Sequence, residues 1–300
     1  MGLLLFIAAC SISPLLASDC RDLWRQGRAM LHNGLYQDAT NFLKVASASC
    51  TEESEIHLDL ARSYLMSGKL RDAESTLNGL LSFHPRMAAA LKLKGDVYYL
   101  LGRDADAIAA LQEAIRADPA NEEAIYSLGR VYYQQSRAEQ AREQFERVLA
   151  LNPKSYRAHD NLALCFQALN QDEAALSHFK TALDLVHKDH PEYDWVYANL
   201  AEFLIAKGDY RRAFDLGVEA AQRNPGSGRN CYVTAKALSK LNQAEISVRW
   251  LLRAIQLEPE YPEPHYLLAQ IYRAQGKSSE STTEFERFKE LRQKVPAKLR

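Results

Sequence analysis

Small and large apolar side chains recur along this chain with a period of 34 residues. If each unit is numbered from its first residue, units begin at 20, 54, 88, 122 and 156 and then, after four inserted residues, at 194, 228 and 262. Column eight reads Gly27, Ala61, Gly95, Gly129, Ala163, Ala201, Ala235 and Ala269, so it holds only Gly or Ala. Column twenty is equally restricted, running Ala39, Ala73, Ala107, Ala141, Ala175, Ala213, Ser247 and Ser281. Large residues fill column eleven, from Met30, Tyr64 and Tyr98 to Tyr272, and column twenty-four, from Leu43, Leu77 and Leu111 to Phe285. Small residues where backbones touch and large ones where gaps are filled predict two facing helices in every unit.

The punctuation agrees with that reading. Column fifteen reads Gly34, Gly68, Gly102, Ser136, Asn170, Gly208, Asn242 and Gly276. Gly and Asn tolerate the left-handed conformation that ends a helix. Pro85, Pro119, Pro153, Pro225 and Pro259 stop the second helix before the next unit begins. Several positions depart from the pattern: Gly217 stands where column twenty-four is otherwise large, Thr51, His187 and Gln293 stand where the other units have proline, and Lys94 and Thr234 stand where column seven is mostly apolar. The insertion near 187–193 predicts either a longer second helix in the fifth unit or a bulged connection.

These columns resemble those of the tetratricopeptide repeat family over residues 20 to 295. The resemblance implies an all-α, right-handed α-solenoid (superhelix) of about eight helix-turn-helix repeats. The charged final helix, Glu280 to Lys294, would then serve as its own cap, with residues 296–300 a short tail. Arrays of this family bind partner proteins or extended peptides on a concave surface formed by columns two, five, six, nine and twelve. Carried onto this sequence, that surface holds Trp24, Arg28, Lys92, Asp96, Tyr99, Tyr126, Arg130, Tyr133, Asp160, Asn161, Gln167, Trp195, Asn199, Glu202, Tyr232, Lys236, Tyr266, Gln270 and Arg273. Tyr, Trp and Arg are the types enriched at binding hot spots. The family's clamp for a C-terminal carboxylate is absent, because its lysine, Lys92, meets Asp96. A backbone-gripping asparagine ladder would have only Asn161 and Asn199.

In this fold Cys20 opens the first helix and Cys50 closes the second, which implies a disulfide. It would close a loop of about 30 residues and stabilise a terminal repeat by roughly 3–4 kcal/mol. Cys165 and Cys231 fall in distant repeats and are expected to be small buried hydrophobes. Residues 1–18 carry no charged side chain and read as a secretory signal, with cleavage expected after Ala17 or Ser18. This places the protein outside the cytoplasm, periplasmic or secreted. A second export reading takes Ile7-Ala8-Ala9-Cys10 as a lipobox, with Cys10 lipidated and the protein tethered to a membrane.

Composition narrows the partner class. The 300 residues are 47% apolar and 25% charged with a formal net charge of −1, so no global positive field would recruit nucleic acid. No phosphate loop, nucleophile elbow or zinc-protease motif occurs, and His187, Asp189 and His190 match no metal-site spacing. The expectation is a non-enzymatic binding array without cofactor or metal, whose partner is a protein or peptide segment. Alternatives are a lipid-anchored structural subunit of an envelope assembly, or an array that delivers substrate to a separate enzyme.

Overall fold

A computed structural model of the chain describes residues 15–190 and 192–294. The leader calls, including Cys10, and the tail 296–300 lie outside the described side chains. The described residues are all-α and form two compact units, one up to Val131 and one from Tyr132.

The first unit contains α1 (Leu15–His32), α2 (Tyr36–Ser49), α3 (Ser54–Met66), α4 (Leu70–Phe83), α5 (Ala88–Leu100) and α6 (Asp104–Ala117). It closes within α7 (Glu122–Gln134), the helix in which the division falls. The second unit continues with α8 (Ala138–Leu151), α9 (Tyr156–Ala168), α10 (Asp172–Asp189), α11 (Trp195–Lys207) and α12 (Tyr210–Arg223). It ends with α13 (Gly228–Lys240), α14 (Ala244–Leu257), α15 (Pro262–Ala274) and α16 (Ser278–Lys294). From α3 onward the first helix of each pair has 13 residues and the second has 14, except α10 with 18 and α16 with 17. The four inserted residues therefore lengthen α10 by about one helical turn.

All eight residues of column fifteen lie in the left-handed region, five glycines at φ between 72° and 83° and Ser136, Asn170 and Asn242 at 58° to 59°. The turn geometry is thus fixed and only the residue type varies. An L side chain there costs about 1–2 kcal/mol, which glycine avoids.

Close approach explains column eight. A Cβ built on Gly27 would lie 2.6 Å from Leu43 Cγ, and one on Gly95 would lie 2.6 Å from Leu111 Cγ. Those leucines belong to column twenty-four and are fully buried, as are Leu77, Phe145, Phe179 and Leu251. Phe285, the last of that column, is instead 41% exposed and clusters with Tyr266 and Phe288. In α16 only Leu291 is buried; Glu286 pairs with Lys289, and Glu290 with Arg287 and Lys294.

Two of the departures from the repeat pattern explain each other. A Cβ on Gly217 would stand 2.8 Å from Thr234 Oγ1 and 3.1 Å from Thr234 Cα. Column twenty-four gives up its large side chain here, and the backbone at column seven of the next repeat moves into the space. Thr234 is fully buried, its hydroxyl donating to the Asn230 carbonyl at 2.8 Å.

Two outcomes follow for purified protein. Ser136→Gly should raise stability by about 1 kcal/mol, read as a higher midpoint in urea at constant m-value. Gly217→Leu, which restores the usual residue type of column twenty-four, should instead destabilise by about 1–3 kcal/mol through overpacking. A neutral Gly217→Leu would show that the site can open.

Candidate functional site

In the second unit, the first helices α11, α13 and α15 line an open cleft of about 1020 Å³. Trp195 and Glu202 come from α11, Arg229, Tyr232 and Lys236 from α13, and Glu263 from α15. Asp194 and Glu258 approach from the helix boundaries, and Gln167 of α9 completes one wall. A second hollow of about 680 Å³ shares Tyr232 and Lys236 and extends past Tyr266 and Gln270. Trp195 is 54% exposed, a large apolar surface left open to solvent.

Arg229 organises the floor. Its guanidinium donates to Asn199 Oδ1 at 2.8 Å and to Glu202 Oε2 at 2.9 Å, and lies 5.0 Å from the Trp195 ring centroid. Such a cation over an indole face holds the ring in place. Tyr232 and Tyr261 meet edge to face at 5.5 Å. Burial, with Glu202 and Glu263 adding to it, pushes the Tyr232 phenol up to about 12 and also raises that of Tyr261.

Three residues expected on the open surface are buried. Asp160 is fully enclosed, Asn199 is 5% exposed and Tyr126 is 8% exposed. Asp160 accepts from the Tyr193 hydroxyl at 2.9 Å and from Asn199 Nδ2 at 3.0 Å. It thus joins α9 to the α10–α11 connection and to α11. Its position on the inner face was readable, but a column number does not give depth, and Tyr193, in the connection between α10 and α11, seals it over. Asn161 donates to the Arg157 carbonyl of its own helix and Asn199 to Asp160, so both amides hydrogen-bond within the protein. Burial raises the Asp160 carboxyl to about 6, against the pull of Asn199, Tyr193 and Arg229.

The inner-face residues of the first unit are tied to one another. Trp24 Nε1 donates to buried Asp59 at 2.9 Å, Arg28 lies 3.5 Å from the same carboxylate, and Lys92 pairs with Asp96 at 2.8 Å. Asp96 also accepts from Ser127, and Arg130 covers the Tyr99 ring at 5.4 Å. In the second unit Tyr133 is half-buried, Tyr266 is 42% exposed, and Gln270 and Arg273 are exposed.

Sequence reasoning missed Arg229, although it stands in column two, one repeat after Trp195 in the same column. It also missed the buried Asp59. The Asp194 carboxylate, which accepts from Asn230 at 2.6 Å and Asn224 at 3.3 Å, was missed as well. Another missed pair is His159 and His178, whose Nδ1 atoms face each other at 2.9 Å across α9 and α10, with Phe166 stacked on His178. They occupy columns four and twenty-three, and the same two columns hold the His265–Glu284 pair at 2.6 Å. Cys20 and Cys50 form a disulfide, with Cα atoms 6.2 Å apart, whereas Cys165 and Cys231 are free and buried. Burial raises both thiols, Cys165 to about 12, which makes them poor nucleophiles. Among the described residues no group of three metal-ligating side chains converges, and no helix is long and apolar enough to cross a membrane.

Models of the tetratricopeptide repeat match residues 58–122, 98–165 and 133–200. Together these matches cover residues 58–200, a little under half of the chain. The helical hairpins on either side of that segment have the same left-handed turns, and α11 to α15 keep the same alternation of 13 and 14 residues. Solved structures share the fold. A tetratricopeptide repeat protein from Parabacteroides merdae superposes with a TM-score of 0.68 at 18% identity, over 85% of this chain and 99% of its own. PilF of Pseudomonas aeruginosa gives 0.60 at 20% identity, over 73% and 98%. The APC/C hetero-tetramer Cut9-Hcn1 gives 0.70 at 15% identity, covering 93% of this chain and 53% of that one. At these identities the likeness is one of fold. No curated protein matches the sequence.

Acid sensitivity follows from the half-buried His159 and His178. Burial lowers both imidazoles, and His159 lowers His178 further. A histidine with a lowered folded pKa contributes stability that is present above its unfolded value near 6.5 and is lost as pH falls through the folded value. Asp160 runs the other way. Its raised pKa favours the folded state most below about pH 4 and loses that effect as pH rises to about 6. Replacing His178 with Gln leaves Asp160 in place, so a comparison of the two chains isolates the histidine contribution. The drop in unfolding free energy between pH 7 and pH 5 should be smaller in His178→Gln than in the parent, measured by urea titration at both values. An equal drop would assign the acid sensitivity elsewhere.

Proposed function

We propose that this protein is a non-enzymatic scaffold that holds an extended segment of a partner protein in the cleft of its second unit. Tetratricopeptide repeats are in general protein-interaction scaffolds. The observation that carries the reading here is the cleft itself, where an exposed Trp195 is held by Arg229 beside Tyr232. At about 1020 Å³ it lies at the top of the ~300–1,000 Å³ range of small-molecule sites. Its open form suits several residues of an extended chain. The rings and the ion-paired guanidinium are already held in position, so the ordering cost falls mainly on the partner.

We further place the protein outside the cytoplasm, where the Cys20–Cys50 disulfide would persist. Of the four cysteines from Cys20 onward, the two not in that bond are buried. The substrate-delivery array and the lipid-anchored subunit would use the same cleft with a different attachment.

Trp195→Ala should reduce retention of the native partner at least about tenfold in affinity capture. Helicity and melting temperature should stay at parental values, since Trp195 is largely exposed. Undiminished retention would move the site off the cleft. For the compartment, protein isolated from its native source and denatured without reductant should alkylate at two of these four cysteines, counted by mass spectrometry. Four alkylated residues would place it in a reducing environment.

A further inference from the structure

From the charges in the cleft we infer that the partner segment it accepts is basic, carrying several lysines or arginines. This rests on the reading of the cleft as the partner-binding site. Four carboxylates, Asp194, Glu202, Glu258 and Glu263, line it against two cations, Arg229 and Lys236. The cations are the more engaged group. Arg229 is held by Asn199, Glu202 and the Trp195 ring, and the Lys236 ammonium lies 5.8 Å from the Tyr232 centroid. An incoming anion would have to compete with Glu202 for Arg229.

The carboxylates are less fully matched. Asp194 is buried and satisfied by Asn224 and Asn230, so it contributes field rather than contact. Glu258 accepts the Gly228 backbone N–H at 2.7 Å, an uncharged donor. Glu263 lies 3.8 Å from Arg292, at the limit of an ion pair, with its side chain 38% exposed. Glu258 and Glu263 thus present negative charge to the cleft beside Tyr261. The same glutamates, Glu202 and Glu263, add to burial in holding the Tyr232 and Tyr261 phenols protonated. Aromatic faces next to carboxylates form a joint site for cations, through ring quadrupole and ion pair together. Like-charge juxtaposition meanwhile rejects acidic segments.

The test is a selection of random twelve-residue displayed peptides on the full chain, run in parallel on Trp195→Ala and on Glu263→Lys. Peptides recovered on the parent should carry Lys and Arg over Asp and Glu by at least about threefold. They should be lost on Trp195→Ala, and the excess of basic residues should fall to parity on Glu263→Lys. Recovery of Trp195-dependent peptides that are neutral or acidic would overturn the basic partner and leave the cleft as the binding site. Peptides indifferent to Trp195→Ala, or no enrichment at all, would overturn both.

Discussion

The first helix of each hairpin runs so close to the second that column eight has room for a hydrogen or a methyl group and nothing larger. At Gly27 and Gly95 even a methyl would press on the leucine opposite, 2.6 Å from its Cγ. This contact sets the separation of the paired helices. It lets the large residues of column twenty-four be fully enclosed in almost every repeat, and each such side chain is worth about 1.5–3 kcal/mol of apolar burial. Each hairpin still has apolar surface that only the next can cover, so stability accumulates by neighbour contacts. Phe285 shows the remainder: in the last described hairpin the same column stays partly in solvent.

Polar contacts on the inner face carry the second layer of order. Asp59, Asp96 and Asp160 each accept a hydrogen bond from a residue about one repeat away: Trp24, Ser127 and Tyr193. A buried carboxylate is costly unless it is hydrogen-bonded, and its partners must sit in fixed places. Asp160 illustrates the balance, since burial raises its pKa to about 6 while three neighbouring groups pull it down. Such contacts add little net energy, but they fix how consecutive repeats meet within each unit. The side chains that remain for a partner are those the ladder does not use.

The division between what the sequence revealed and what it hid follows from these two layers. Helix pairing, turn positions and close-packed columns are periodic properties, and a period survives in one dimension. Column fifteen could be assigned to the turn because a left-handed residue restricts the side chain by itself. Depth has no period. Asp160 and Asn199 occupy inner-face columns, yet Tyr193, in the connection after α10, covers Asp160, which spacing within one repeat cannot express. The Gly217 and Thr234 departures were visible singly, but their compensation joins consecutive repeats through a contact between backbones. His159 and His178 could have been paired from columns four and twenty-three, which already place His265 beside Glu284.

The same distinction explains why the proposed contact surface lies in the second unit. In the first unit Trp24, Arg28, Lys92 and Asp96 are committed to one another, so an incoming segment would have to break ion pairs to gain contacts. In the second, Arg229 spends its hydrogen bonds on Asn199 and Glu202 while leaving the outer face of Trp195 in solvent. A single buried-side commitment thus creates an exposed, rigid aromatic surface at low entropic cost. Binding energy can then come from covering Trp195 and approaching Glu258 and Glu263, with the internal ladder left intact. Beneath the cleft, Asp160, Asn199, Arg229 and Glu202 are bonded to one another, which leaves the face of Trp195 uncovered.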